Sequence, residues 1–581
     1  MNENFFFNNF FYNFLPSFLF LSINFLTSLS LSQKNYFSKI YNFGPHLIFA
    51  IIISFYAFLI NLIFLFSFTK YLSIFVFFLI FLNFILLIFL NEFSFNKFFI
   101  SIKKAITYKY ILVFLFALFL ISIMPLSDAD SVATHLFIPG QILENGLLSN
   151  DLIKHVENVV ISNTESILTL SFVLKSDNFG SQLNFFSLLI FFLTFNKNKN
   201  FFYILLFSPL IIFFISTQKL QLFFALLYLN LFILVYENKV RSNFEIFVFV
   251  FLLTFYSSGK ITYILFSTFL FLLFLFKNKH SFKISFFFLF ICFFIHHFPI
   301  LLYKFILFDN PFAPFFDHYF KDREALNAFA YSLRSSGGWL LGNVPFSVFI
   351  QPFISFDPFT FTTSFGLVFL FLLFDLNKIQ KLFFIPYLII ISIFFSGQLV
   401  PRYYLEAFLL LAFYANYTLV CKIVNYFQGF CIILFSVIFL WHSFFNLQKD
   451  NWLKKEFSRK FAYHYLNAEL LKNKEINGNV LVLFFTRDNI FFEKNIYSSR
   501  YLFNTNSFNN DYDQNFKNFL NNTNIKYIVF EDQSSIPSCI ELNIYDEINF
   551  KIATRNFLSK HKEQNFKIAR IVKNECLFTK D

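Results

Sequence analysis

Glycine and proline are scarce in this chain, 12 and 14 residues among 581, and methionine and tryptophan fall to 2 and 3. So few chain breakers rule out collagen-like and low-complexity disordered sequences. No Gly-rich phosphate loop is present, which excludes P-loop ATPases and dinucleotide-binding enzymes at the level of motifs. The five cysteines, Cys292, Cys421, Cys431, Cys539 and Cys576, form no CxxC or Cys/His ligand spacing, so a structural zinc site is not expected. Internal repeats and heptads are absent. The N-terminal stretch lacks the basic region of a cleaved signal peptide, so the first apolar segment is expected to be retained.

The chain is rich instead in apolar bulk. Hydrophobic residues make up 57% of it, 108 of them Phe, and charged residues only 14%. The excess of Phe, Asn, Ile and Lys is read as compositional bias, and the aromatics carry no functional weight as a class. The charge is uneven: residues 446–581 hold 20 of the 46 Lys and Arg and 16 of the 34 Asp and Glu. Residues 1–445 therefore read as a lipid-embedded body and residues 446–581 as a water-soluble domain. A net charge of +12 suits nucleic acid in principle. The lysines fall between apolar runs, however, where a membrane protein carries its topology signals, and no nucleic-acid partner is expected.

About fourteen apolar runs are long enough to cross a bilayer once tilt is allowed. They lie near residues 15–31, 47–68, 72–91, 108–126, 179–196, 201–216, 220–236, 244–257, 261–276, 284–303, 363–376, 382–397, 403–420 and 426–445. Basic residues collect in every second loop, from Lys34 and Lys39 through Lys97, Lys103, Lys104 and Lys109 to Lys378, Lys381 and Lys422. Basic loops resist translocation, so these are expected on the cytoplasmic side. The two long loops at about 127–178 and 304–362, the turn carrying Arg402 and the C-terminal segment then fall on the outer face. The localisation expected is multi-pass in the cell (inner) membrane. The C-terminal domain would then be extracytoplasmic.

Residues 446–581 alternate helical stretches with short β-rich runs, NVLVLFF at 479–485, IKYIVF at 525–530 and FKIARIV at 566–572. The expected fold is thus a polytopic α-helical membrane protein with a small C-terminal α/β domain. Cys539 and Cys576 pair on an oxidising face or stay as two buried thiols; the sequence leaves both open.

The first long loop opens with PLSDADSVATHL, which sets Asp128 and Asp130 two residues apart at a helix exit. Desolvation and mutual repulsion there raise a carboxylate toward the range of a general base. The plainer reading is a solvated acidic loop or a helix N-cap. Lys219, Lys260 and Arg402 each begin or end an apolar run on the outer face. Interfacial lysines commonly snorkel to lipid headgroups, and that reading stands beside a phosphate-binding one. His296 and His297, on an apolar face, read as packing residues.

The segment DADSVATHL at 128–136 resembles the first-external-loop motif of the GT-C-type membrane glycosyltransferases, the superfamily that includes protein mannosyltransferases. Asp128, Asp130, Ala133, His135 and Leu136 match, while Thr134 stands where Tyr is usual. Weaker likenesses occur in order along most of the chain. NTESILTLSFVL at 163–174 supplies Glu165, NPFAPFF at 310–316 resembles an Asn-Pro-x-x-Pro turn, and residues 343–370 resemble a Pro-containing re-entrant stretch. VPRYYLEAFLLL at 400–411 supplies Arg402 and Tyr403.

The resemblance implies transfer of a sugar from a polyprenyl-phosphate donor to a glycan, lipid or protein acceptor on the outer face. Outside the cytoplasm nucleotide sugars are not at hand. Asp130 would act as base with Asp128 in support, and transfer, inverting at the anomeric carbon, would pass through an oxocarbenium-like state. Arg402 would take the phosphate, aided by Lys219, Lys260 and Tyr403, while His135 and Glu165 would help bind substrate. No cofactor is implied beyond the lipid-linked co-substrate. Asp128, Asp130, His135 and Glu165 offer oxygen and nitrogen ligands, but oxygen-rich loops are common and no metal is assigned. The alternatives are an oligosaccharide ligase or polymerase, which gives no reason for DADSVATHL, and a transporter or flippase. A transporter would place charge near the bilayer midplane, whereas here polar clusters gather at one interface.

Overall fold

The computed structural model describes residues 10–33, 43–89, 109–123, 131–148, 150, 156–176, 178–195, 198–237, 240–323, 326–327, 329–330, 366–373, 390, 401–414, 418–448, 470–471, 473–474, 476–483, 496–498, 520, 524–531, 536, 540–553 and 561–574. Over these residues the chain is mostly helical, with one small C-terminal sheet. Asp128 and Asp130, the run at 382–397 apart from Ile390, most of the stretch at 343–370, and Cys539 and Cys576 lie outside the described residues.

The first helices are α1 (Phe10–Gln33), α2 (Gly44–Leu65), α3 (Leu72–Phe89) and α4 (Lys109–Ser122). By length and composition, three segments among the described residues can cross a membrane singly: Phe14–Ser32, Gly44–Leu65 and Thr69–Ile88. Helix α3 turns a wide apolar face outward, with Ile74 67% and Phe81 58% exposed. An apolar patch of that extent suits contact with lipid or with another protein surface.

Between α4 and the next long helix the described residues are largely helical. A π-helical turn, Ser131–Leu136, leads into α5 (Phe137–Asn145), and α6 (Asn163–Val173) comes after it. Ile138, Ile142, Ile167, Leu168 and Leu170 are all fully buried, and α6 packs along α2. This stretch of the expected external loop is part of the helical body, because NTESILTL is small and apolar enough to sit among helices. A capping box starts α6: the Ser162 side chain caps its first turn while Glu165 accepts from the Ser162 N–H.

Helices α7 (Phe179–Thr194), α8 (Lys199–Leu206), α9 (Pro209–Ile215), α10 (Gln221–Tyr236), α11 (Asn243–Ser258), α12 (Ile261–Lys277), α13 (Phe282–His296) and α14 (Phe298–Phe308) build the rest of the core. Helix α10 buries every side from Gln221 to Val235 and stands at the centre, as an all-apolar helix must. Two expected single runs are broken. The one at 201–216 splits at extended Ser208 before Pro209, since proline removes a donor and starts a new helix instead. The one at 284–303 bends by 47° between His296 and Phe298, ahead of Pro299. The bend is held by polar contacts: Asn163 Nδ2 donates to the His296 carbonyl at 3.2 Å, and Ser257 Oγ pairs with His297 Nε2 at 2.8 Å. His296 itself is fully buried between the rings of Phe251 and Phe255, the packing role expected of it.

Further on lie α15 (Leu367–Leu373), α16 (Leu405–Phe413) and α17 (Leu419–Gln448). Here too the boundaries differ from expectation. The run at 403–420 ends as a helix at Phe413, and α17 begins at Leu419, so Lys422 sits in a first helical turn rather than in a loop. The reason is that residues 419–425 are as helix-compatible as the rest of α17, and composition alone carries no stop signal there.

The C-terminal sheet has strands β1 (Asn479–Val482), β2 (Ile496–Ser498), β3 (Ile525–Phe530), β4 (Ile540–Ala553) and β5 (His561–Asn574) in the order β2-β1-β3-β5-β4. Strands β2, β1 and β3 run parallel; β5 is antiparallel to β3 and forms a long pair with β4. Leu481, Ile528 and Phe530 face one apolar cluster, and Val480, Val482 and Val529 face another. Burial on both faces explains why NVLV and IKYIVF are nearly continuous apolar runs and not alternating ones. Strand β3 lies where the sequence predicts it. Strands β2 and β4 are not foreseen, β4 because its ELNIYDEINF carries too many polar residues to read as buried.

Candidate functional site

The site is built on three turns. The first is the start of α6, where Glu165 is positioned by its capping role. Glu165 Oε2 accepts from the Ser162 N–H at 2.9 Å and from its hydroxyl at 2.5 Å. Its other oxygen, Oε1, lies 3.0 Å from His135 Nδ1. Since a carboxylate so placed is an acceptor, Nδ1 carries the imidazole proton and Nε2 keeps its lone pair. Both side chains are largely enclosed, 12% exposed for His135 and 4% for Glu165. Burial holds the His135 imidazole below the ordinary histidine value; the Glu165 contact opposes this, and the charges of Lys219 and Lys260 add to it.

The second turn, Ser216 to Leu220, joins α9 to α10. Buried polar groups clamp its backbone. Asn184 Nδ2 donates to the carbonyls of Phe214 and Lys219, each at 2.8 Å, and Ser181 Oγ donates to Thr217 O at 3.1 Å. Ser131 Oγ accepts from the Gln218 N–H at 2.9 Å, tying the π-helical turn to the residue before Lys219. The Lys219 ammonium lies 4.7 Å from the centre of the Phe213 ring, a cation–π distance.

The third turn joins α11 to α12 and carries Lys260. Thr164 Oγ1 donates to the Gly259 carbonyl at 2.8 Å, and Ser162 Oγ, whose proton goes to Glu165, lies equally near it, so the start of α6 grips this turn directly. A side chain at Gly259 would meet the Phe224 ring at 2.8 Å, which leaves glycine as the residue that fits. Lys260 faces the Tyr403 ring at 5.4 Å, and the Arg402 guanidinium carbon lies 5.3 Å from the same ring. Arg402 and Tyr403 belong to a short 3-10 turn, Pro401–Tyr404, that leads into α16.

These turns bring six of the eight expected residues together. Lys219, Arg402, Tyr403 and Glu165 all act electrostatically on Lys260, and Lys219 and Lys260 act on His135. Asp128 and Asp130 lie outside the described residues. Ser131, the residue after Asp130 in the sequence, is held by its bond to the Gln218 N–H.

Two residues of the neighbourhood escape the sequence reading. Glu406, buried on α16, accepts from the Tyr256 hydroxyl at 3.0 Å and lies within electrostatic reach of Lys260. Lys304 on α14 lies within reach of Glu165 and donates to the Ala313 carbonyl at 3.1 Å, in the turn headed by Asn310. Each is a charge set inside an apolar run, YYLEAFLLL and FPILLYKFIL, and that signal is present in the sequence. The turn itself is tightly built. Buried Asp317 accepts from Arg323 Nε at 3.0 Å, Arg323 Nη2 at 2.6 Å and Asn310 Nδ2 at 3.1 Å. Burial pushes the Asp317 carboxyl up, but these donors outweigh it and hold it below the ordinary aspartate value.

Chemically, Lys219 and Arg402 lie within electrostatic reach of Lys260, and three cations so grouped are suited to phosphate oxygens. Burial lowers Lys260 to about 8; Tyr403 opposes this and Arg402 and Lys219 reinforce it. The site therefore loses one positive charge as pH rises through about 8. Affinity for a phosphorylated lipid should fall across that interval in the wild type, and Lys260→Arg should remove the fall, because a guanidinium stays charged. Binding isotherms at a series of pH values check this. Equal slopes for the two proteins would show that Lys260 does not meet the anion.

Among the described residues no group of three or more His, Cys, Asp or Glu is placed to hold a metal ion. No protein-family model, curated protein or solved structure matches the chain.

Proposed function

We propose that the chain is a polytopic membrane glycosyltransferase of GT-C type, with about fourteen membrane crossings. It would move a sugar from a polyprenyl-phosphate donor to an acceptor on the outer face of the cell membrane. One observation carries the reading. His135, Glu165, Arg402 and Tyr403, taken from the resemblance, and Lys219 and Lys260, singled out as cations at the ends of apolar runs, lie on segments far apart in sequence and meet in one cluster. Three cations there oppose one enclosed His–Glu couple, which is the charge pattern required by a departing phosphate beside a proton-accepting group.

In this reading Arg402 holds the phosphate with its planar fork, and Lys260 and Lys219 spread the charge that grows as the anomeric C–O bond breaks. Tyr403, flanked by Lys260 and Arg402, keeps the two cations apart and aligned. Asp130, with Asp128 beside it, takes the proton of the acceptor hydroxyl. The carboxylates act on one end of the reaction and the cations on the other, so neither bond change has to develop full charge unaided. The C-terminal domain would shape the acceptor side.

The test is incubation of the purified protein with a panel of radiolabelled polyprenyl-phosphate sugars and membrane extract. Donor consumption with label carried into a covalent product is expected for at least one sugar. No turnover of any donor by folded protein refutes the reading; flux of a substrate across vesicles without a covalent product would put a transporter in its place.

A further inference from the structure

Glu406 has no task in the transfer scheme, yet it is a carboxylate only 2% exposed within the apolar helix α16. The Tyr256 hydroxyl on α11 donates to its Oε1 at 3.0 Å. That bond alone does not account for an acid at this position, because a glutamine oxygen would accept from a phenol equally well and cost far less to bury. A buried charge is kept where an opposite charge stands near it. Among the described residues the cation that acts on Glu406 is Lys260.

Contacts join the two residues from both sides. On one side Lys260 Nζ lies 5.4 Å from the centre of the Tyr403 ring, and Glu406 follows Tyr403 by three residues, about one turn further along the chain. On the other side the Tyr256 ring stacks on the Tyr263 ring at 4.6 Å and 20°, and the Tyr263 N–H donates to the Lys260 carbonyl at 3.0 Å. Lys260, Tyr403, Glu406, Tyr256 and Tyr263 thus form a closed circuit drawn from α11, α12 and the start of α16. Tyr256 is fully buried and Tyr263 nearly so, which leaves the circuit little room to shift. The other charged or titratable groups that face Lys260 are Glu165 on α6, His135 before α5, Lys219 before α10, and Arg402 before α16. Lys219 and Arg402 oppose its ammonium, and Glu165, which favours it, is already shared with Ser162 and His135.

Resting on the reading of Lys219, Lys260 and Arg402 as a phosphate-binding group, we propose that Glu406 is a positioning residue whose carboxylate is the standing counter-charge that keeps Lys260 an ammonium until the phosphate arrives. It acts through Lys260 and touches neither donor nor acceptor.

Glu406→Gln separates charge from structure, since the amide oxygen still accepts from Tyr256 and only the negative charge goes. Lys260 is half-buried, so its amine can be followed directly. Competitive acetylation by trace acetic anhydride, read by mass spectrometry, gives the pH at which half of the ammonium is lost. In the wild type this midpoint should be about 8. Loss of a neighbouring negative charge disfavours the ammonium, so in Glu406→Gln the midpoint should fall by about one pH unit. Glu406→Asp, which draws the charge back by one methylene, should lower it by a smaller amount and carries the test if the glutamine variant does not fold. Isotherms for a polyprenyl monophosphate should show the same displacement, the affinity being lost at lower pH in each variant than in the wild type. In a Lys260→Arg background Glu406→Gln should displace nothing, because a guanidinium does not titrate there.

No displacement of the Lys260 midpoint in folded Glu406→Gln or Glu406→Asp overturns the counter-charge role, and does so even where the wild type binds the monophosphate. A wild type that binds no polyprenyl monophosphate at any pH overturns the phosphate reading, and with it the purpose given to Glu406, even where the midpoint moves.

Discussion

Asp130→Asn is expected to abolish label transfer while leaving donor binding and expression as in the wild type. The substitution keeps size and polarity and removes the capacity to take a proton. Loss of a general base costs on the order of 100-fold to 10,000-fold in rate, about 3 to 5 kcal/mol of transition-state stabilisation. Asp128→Asn, a change in the supporting carboxylate, should cost less. Single-turnover label transfer at matched donor occupancy measures this. Transfer near the wild-type rate in Asp130→Asn would remove the aspartate from the mechanism and return the pair to the role of a solvated loop.

Arg402→Gln is expected to weaken binding of the lipid-phosphate donor by about 100-fold, with Arg402→Lys recovering only part of the loss. A guanidinium offers two parallel donors to a phosphate and is less strongly hydrated than an ammonium, so lysine restores charge but not the fork. The Tyr403 ring, 5.3 Å from the guanidinium carbon, also holds a planar group better than a point charge. Tyr403→Leu should therefore reduce affinity without removing any formal charge. Equilibrium binding of labelled donor to the three variants separates the outcomes. Unchanged affinity in Arg402→Gln would place the phosphate elsewhere.

Much of this molecule is legible in the sequence where a single physical signal dominates. Apolar runs of near-constant length locate α2, α10, α11 and α12 to within a few residues, and IKYIVF marks β3 without error. Legibility fails where two signals compete. At Pro209 and at the bend before Pro299, hydropathy continues unbroken while the backbone cannot, so one run becomes two helices. In the segment from Asn163 to Val173, polar residues suggest an exposed loop, yet they serve as internal partners; Asn61, Asn163, Ser166 and Ser258 bond to one another between α2, α6 and α11. Asp128, Asp130, His135, Glu165, Arg402 and Tyr403 are found through motif likeness, and Lys219 and Lys260 as cations at the ends of apolar runs. These routes miss Lys304, which lies outside every segment carrying the resemblance, and Glu406, which sits in VPRYYLEAFLLL behind the more conspicuous Arg402 and Tyr403. Both are nonetheless charges within apolar helices, costly enough to need a reason.

The grip of Thr164 on the Gly259 carbonyl has a mechanical side. One end of that contact carries Glu165 and, through it, the imidazole; the other carries Lys260. The two are thereby geared: a displacement that pulls the lysine toward an arriving anion is transmitted through a single carbonyl oxygen to the base of α6. Agents that loosen this joint, whether heat or a harsh detergent, should disable the cation group and the His135 couple together, in one transition and not in sequence.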